Sequence, residues 1–342
     1  MPCGQVRRQG LSRYICGALK DPHGTGTHAK DSVVLHSGQC AAAVASQAAL
    51  AGMAGVSTQA ALRADAAQHV VAACVVGVDF TSRPTARKPI VVALGRFDGR
   101  AVRLDALQPH SSFDDFSGWL KAPGDWVGAF DLPFGLPREL VTTLGWPTEW
   151  LPLMRHYASL SREHIRDTFA AFCDARPVGA KFAHRACDKP AGSSPSMKWV
   201  NPPVAYMLHA GVPLLIDAGV HLPGLHPGDA TRVALEGYPG LLAREVLGQR
   251  SYKADDRAKQ TPERLIARKD LVDALEQGRT RLGVRLRLSH AQRDALVDDA
   301  SGDRLDAVLC MLQAAWARSQ PAYGQPTDAD ALEGWIVSAG VL

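Results

Sequence analysis

From Val70 to Asp79 the chain is almost unbroken in its hydrophobicity. Val70-Val71-Ala72-Ala73-Cys74-Val75-Val76-Gly77-Val78 runs without a charge and closes on an acid, Asp79. A short apolar run with no polar alternation predicts a strand buried on both faces. Pro89 to Phe97 predicts a second strand and Ala101 to Leu107 a third, the latter alternating through Val102 and Leu104. Asp98-Gly99 lies between them, and Asp-Gly between two strand-like runs is a hairpin signal. Ser112 to Leu120 predicts a short helix with Ser111 or Ser112 as its cap. Trp126 to Asp131 predicts a fourth strand, again ending in an acid, which Pro133, Gly135 and Pro137 then terminate.

Further along, the pattern predicts helices over Arg155–Cys173, Val204–Ala210, Pro239–Gly248, Pro262–Gly278, Ala291–Ala300 and Asp303–Arg318. The last carries an apolar stripe through Leu305, Val308, Leu309, Leu312, Ala315 and Trp316. Pro213–Ile216 and Thr231–Glu236 read as strands, and Lys181–Pro203 as a loop. The whole is an α/β order: two antiparallel hairpin strands following the first, a helix, then a strand parallel to the first. Residues 1–70 show neither period. They predict a disordered or weakly structured extension, or a start site placed upstream of the true one, with the domain occupying 71–342 and an insertion over about 138–230.

Composition narrows the class. The 342 residues are 46% hydrophobic and 21% charged, ordinary for a globular chain, and the net charge of +4 is too weak to imply nucleic acid by itself. Seven cysteines, an odd number with no Cys-x-x-Cys pair, argue against a disulfide framework or a zinc site and for a reducing, cytoplasmic setting. No apolar run reaches the roughly 18 residues a membrane span needs. Gly-x-Ser-x-Gly and P-loop signatures are both missing from the sequence.

The chemistry-bearing residues are acids at strand ends and on the last helix: Asp79, Asp131, Glu236, Asp303 and Asp306. In an α/β sheet the carboxyl ends of central strands converge on one crevice. Asp303 and Asp306, three apart, share a helix face. Carboxylates are the natural ligands of hard divalent cations, and two such ions clamp the attacking and leaving oxygens in phosphodiester hydrolysis. This reading makes Asp79, Asp131, Asp303 and Asp306 ligands of Mg²⁺ or Mn²⁺, with Asp79 bridging and Glu236 a ligand or base. The plainer alternatives are that Asp79 and Asp131 are turn formers and that Asp303 caps its helix after Ser301-Gly302. The histidines show no metal-ligand spacing, and His184 stands out only as a candidate proton shuttle.

These motifs resemble the family of predicted RNase H-like nucleases first catalogued as a domain of unknown function, within the ribonuclease H-like superfamily. The resemblance rests on Gly77-Val78-Asp79, Phe130-Asp131-Leu132-Pro133-Phe134-Gly135-Leu136-Pro137, Glu236-Gly237-Tyr238-Pro239, Tyr252-Lys253, Asp303-Arg304-Leu305-Asp306-Ala307 and Glu333-Gly334-Trp335-Ile336, in that order over residues 75–338. It implies an RNase H-like mixed sheet flanked by helices and a metal-dependent nuclease acting on DNA or RNA. Arg185, Lys198 and Trp199 in the middle segment, and Lys253 beyond it, are the candidates for holding a phosphate backbone and stacking a base. The alternative is that Trp199 merely anchors a solvated loop. The Arg279–Leu288 stretch, alternating Arg and apolar residues, reads as a solvated strand or a basic stripe. Two other functions compete: an actin-like phosphotransferase, suggested by Gly77-Val78-Asp79-Phe80-Thr81, and a non-catalytic nucleic-acid-binding protein that keeps the fold.

Overall fold

The structure, a computed structural model, describes residues 73–340; the expectation for residues 1–70 lies outside them. At its centre is β1 (Ala73–Asp79), paired antiparallel with β2 (Ile90–Phe97) and parallel with β4 (Trp126–Phe130). β2 pairs antiparallel with β3 (Ala101–His110), the hairpin turning at Asp98-Gly99, where Gly99 takes a φ of 92°. The helix α1 (Phe113–Lys121), capped by Ser112, carries the chain from β3 to β4. β6 (Asp229–Glu236) lies parallel to β4, with β5 (Val220–His221) beyond it, and β7 (Arg285–Arg287) closes the other edge beside β3. The order is β5-β6-β4-β1-β2-β3-β7. This is the RNase H-like α/β arrangement the motifs imply: a seven-stranded mixed sheet flanked by helices.

Successive side chains of a strand point to opposite faces, and β1 is covered on both. Val76 and Val78 pack with Phe116 and Leu120 of α1 and with the helices inserted between β4 and β6. Those are α2 (Arg138–Thr143), α3 (Trp150–Ser159), α4 (Arg162–Asp174) and α6 (Val204–Asp217), while the short α5 (Asp188–Ala191) among them packs instead with Ile336 and Ala339. Val75 packs on the other face with α7 (Pro239–Leu247), α8 (Pro262–Glu276), α9 (His290–Val297) and above all α10 (Asp303–Arg318). Double coverage explains why the β1 sequence is apolar at every position up to its acid.

Several expectations are corrected. The helix expected over Arg155–Cys173 is two helices, α3 starting at Trp150 and α4 starting after Ser161, whose hydroxyl accepts from the His164 N–H at 3.0 Å. Pro213–Ile216 is not a strand but the end of α6. A proline inside a helix costs about 3 kcal/mol, and burial of Leu208, Val212 and Leu215 offsets it at roughly 1.5–3 kcal/mol per side chain. Within the Arg279–Leu288 stretch only Arg285–Arg287 forms a strand, with Leu286 buried and both arginines exposed. The loop expected over Lys181–Pro203 contains the short α5. Asp303 is not a cap: Gly302, at φ 79°, precedes it, and Asp303 is the first residue of α10.

Candidate metal centre

Strand parity decides which acids meet. On β1, Val75, Gly77 and Asp79 share the α10 face. On β4 the same face carries Val127 and Ala129, which pack against Cys310 and Ala314 of α10, and continues to Asp131. The Asp131 N–H donates to the Val78 carbonyl at 2.8 Å, so the ladder holds Asp131 beside the end of β1. From the helix, Asp306 lies one turn before Cys310. Carboxylate oxygens of Asp79, Asp131 and Asp306 all fall within 4.8 Å of one another.

Gly77 makes this approach possible. A β-carbon there would stand 1.9 Å from the Ala307 carbonyl oxygen and 2.2 Å from the Met311 nitrogen. The α10 backbone therefore lies directly on β1, one residue beyond Asp306. Any side chain at position 77 would lift the helix and its acids away.

The electrostatics are those of crowded acids. Burial pushes the Asp79 carboxyl well above its usual range, and the charges of Asp306 and Asp303 push it further. Asp131 is raised to about 7, first by burial and then by Asp306. Asp306 accepts hydrogen bonds from the buried Tyr252 phenol and the Lys253 ammonium. Burial works against the Lys253 charge, but Asp306 and its neighbours hold the ammonium pKa well above normal. Ionised, the three acids outweigh this one ammonium by two negative charges.

The arrangement fits a hard divalent cation. Such ions take oxygen ligands at about 2.0–2.6 Å, so oxygens around one ion stand up to roughly 4–5 Å apart, the spread seen here. The residual charge of the cluster is equal in size and opposite in sign to that of the ion.

Asp303 stands at the edge. Its carboxylate is bound by the Lys88 ammonium at 2.6 Å, and Lys88 also reaches Asp255 at 2.8 Å. Burial raises the Asp303 pKa while Lys88 opposes the rise.

Glu236 falls on the other face. Its neighbour in register is Phe130, whose side chain packs with the α1 side of the sheet. At the level of Asp131, the β6 chain offers Gly237 on the α10 face, 3.1 Å from Cys310 Sγ if it bore a β-carbon. Glu236 instead accepts from Arg185 Nη2 at 2.6 Å and Nη1 at 2.7 Å, and from the Phe134 N–H at 2.9 Å. Arg185 also pairs with Asp188 at 2.9 Å, and all three side chains are buried.

The other substrate candidates separate. Arg185 spends its charge in that buried network. Trp199 packs on Phe182 and Phe169, centroids 5.7 and 6.5 Å away, the loop-anchoring alternative. Lys198 is half-buried next to it. His184 is exposed and lines a hollow with Arg176 and Lys189, away from the acids. Lys253 alone of the four substrate candidates touches the acid cluster. Lys88, Tyr252 as a partner of Asp306, and Asp188 as the buried partner of Arg185 escape a reading by motif. The signal for Asp188 was its i,i+3 spacing from Arg185; that for Lys88 was its place in the loop following Asp79.

Comparison of the chain with protein families, with curated proteins and with solved structures finds no match in any of the three.

Proposed function

We propose that this protein is a divalent-metal-dependent nuclease that hydrolyses phosphodiester bonds. The observation that supports it most is the convergence of Asp79, Asp131 and Asp306 from two strand ends and a helix of an RNase H-like sheet. The three would hold Mg²⁺ or Mn²⁺, and Asp303, once released from Lys88, would serve a second ion. Bound metal supplies a hydroxide at neutral pH and stabilises charge on the leaving oxygen. In the hydrolysis the water oxygen bonds to phosphorus, the bond to the leaving sugar oxygen breaks, and the water's proton ends on that oxygen.

The chain's own groups supply placement. Tyr252 and Lys253 orient the Asp306 carboxylate. Lys253 is half-exposed, so its ammonium is also available to a phosphate oxygen at the cleft. The Arg185–Glu236–Asp188 network fixes the loop before α5 against the end of β6, walling the cleft on one side.

A fold-retaining binding protein is the second reading, favoured by Lys253 already occupying Asp306. Cleavage of single-stranded, duplex and branched oligonucleotides with Mn²⁺, in wild type and Asp79→Asn, separates the two. The nuclease reading expects Mn²⁺-dependent products from wild type alone. Melting with ATP, expected to be unchanged, tests the phosphotransferase alternative.

A further inference from the structure

Next to the acids lies a cavity of about 410 Å³ that reaches Asp131, Tyr252 and Lys253 at one end. Its apolar walls come from three places in the chain: Leu132 and Pro133 after β4, Val204 and Met207 of α6, and Pro239 and Ala243 of α7. Its polar lining includes Arg185 and Glu236, both buried and paired with each other, together with the half-buried Ser194 and the exposed Arg250. The crevice lies outside the carboxyl ends of β4 and β6, where open α/β sheets place ligands.

One aromatic ring in this lining is held rigidly. Arg244 Nη1 donates to the Tyr238 hydroxyl at 2.9 Å, and the guanidinium stands 5.2 Å from the ring centroid. Arg244 is itself fixed by the Ala191 carbonyl at 2.6 Å. Beneath the ring lies Gly240, where a β-carbon would come within 2.8 Å of Tyr238 Cζ. A braced, amphipathic ring, an apolar floor and a cationic mouth beside a metal-competent acid cluster form a receptacle for a flat heteroaromatic group joined to a phosphate.

We propose, resting on the nuclease reading, that the cavity receives one unpaired nucleotide, its base and sugar inside and its phosphate at Asp79, Asp131 and Asp306. Ligand cavities run to roughly 300–1,000 Å³, so this one has room for a single base and sugar. A base paired and stacked in a duplex cannot enter without extrusion, which costs unstacking and unpairing. The substrate class is thus a single strand, a strand end or an already unpaired base. A free nucleotide shares that chemistry and is separated from a strand by the test.

The test uses full-length protein with Ca²⁺ present, so that binding is read without turnover. Fluorescence anisotropy compares a single-stranded 12-mer with the same sequence as a blunt duplex. Adenosine 5′-monophosphate and inorganic phosphate serve as competitors. Met207→Trp fills the cavity from α6, and Ser194→Trp fills it from the rim loop, which tolerates bulk more readily. Wild type is expected to prefer the single strand by about 10-fold or more. Adenosine monophosphate should compete better than phosphate. Whichever filled variant melts like wild type should lose the preference while keeping the wild-type rise in melting temperature with Mn²⁺. Equal binding of duplex and single strand, or filled and folded variants that bind like wild type, would overturn the assignment and leave the metal reading standing. Stronger competition by phosphate than by the nucleotide would also overturn it. No Mn²⁺ shift in wild type would overturn both.

Discussion

Gly77 and Asp306 are linked through the backbone of α10: the hydrogen of Gly77 faces the carbonyl of Ala307, the residue after Asp306, where a β-carbon would come within 1.9 Å. The glycine sets how near the last helix comes to the central strand, and so sets the distance between the acids each carries. Gly77→Ala should force α10 outward at a cost of about 1–3 kcal/mol or more, as overpacked cores do. The expected result is a lowered melting temperature together with a reduced Mn²⁺-induced rise. Unchanged melting and an unchanged metal response would show that the close approach is not needed.

Asp79→Asn preserves shape and removes one of the mutually repelling charges. The metal-free variant should melt at or above the wild-type temperature, because burial and its acidic neighbours both disfavour the ionised Asp79. Its melting temperature should not respond to Mn²⁺, whereas wild type gains stability by mass action. Unfolding of the metal-free variant would assign Asp79 a structural role instead.

Glu236→Ala should behave in the opposite way. Removing Glu236 leaves the buried Phe134 N–H and one edge of the Arg185 guanidinium without their acceptor, at about 1–3 kcal/mol for each unmet group, although Asp188 still balances the Arg185 charge. Denaturant unfolding should show a large loss of stability, with the Mn²⁺ response kept in the fraction that folds. A variant of normal stability that has lost its metal response would return Glu236 to the metal site.

The pH dependence of the metal-free protein follows from Asp131, whose carboxyl is raised to about 7 in the fold. The unfolded carboxyl titrates near 3.9. Between about 4 and 7 the folded state therefore binds more protons than the unfolded one, and stability falls as pH rises through that window. With a chelator present, this group should make the melting temperature higher at pH 5 than at pH 8. Saturating Mn²⁺ should flatten the difference, because the ion replaces the proton. Stability that rises over this range in chelator would show that Asp131 does not sit among the acids.

Much of the sheet was legible because its strands state their burial. The β1 run is apolar at each position because both its faces are covered, and its terminal acid follows by parity two residues after Gly77. Asp131 repeats the relation on β4. The same parity separates Glu236 from the others: it aligns with Phe130, not Asp131, and a motif reading that notes only strand ends misses the one-residue offset. The insertion was harder. Arg185 looks like a loop cation until its partners, Glu236 at 51 residues' distance and Asp188 at three, are seen to bury it. Long-range pairing leaves no periodic trace in sequence. Pro213 reads as a breaker locally, and only the tertiary burial of its neighbours keeps α6 intact.

The central claim is that Asp79, Asp131 and Asp306 are ligands of one ion. Anomalous diffraction from crystals soaked in Mn²⁺ tests it most directly. The account predicts a peak with a carboxylate oxygen of each of the three within about 2.0–2.6 Å, and the Lys253 ammonium displaced from Asp306. A wild-type soak at saturating Mn²⁺ with no peak among these acids, Lys253 still on Asp306, would contradict it.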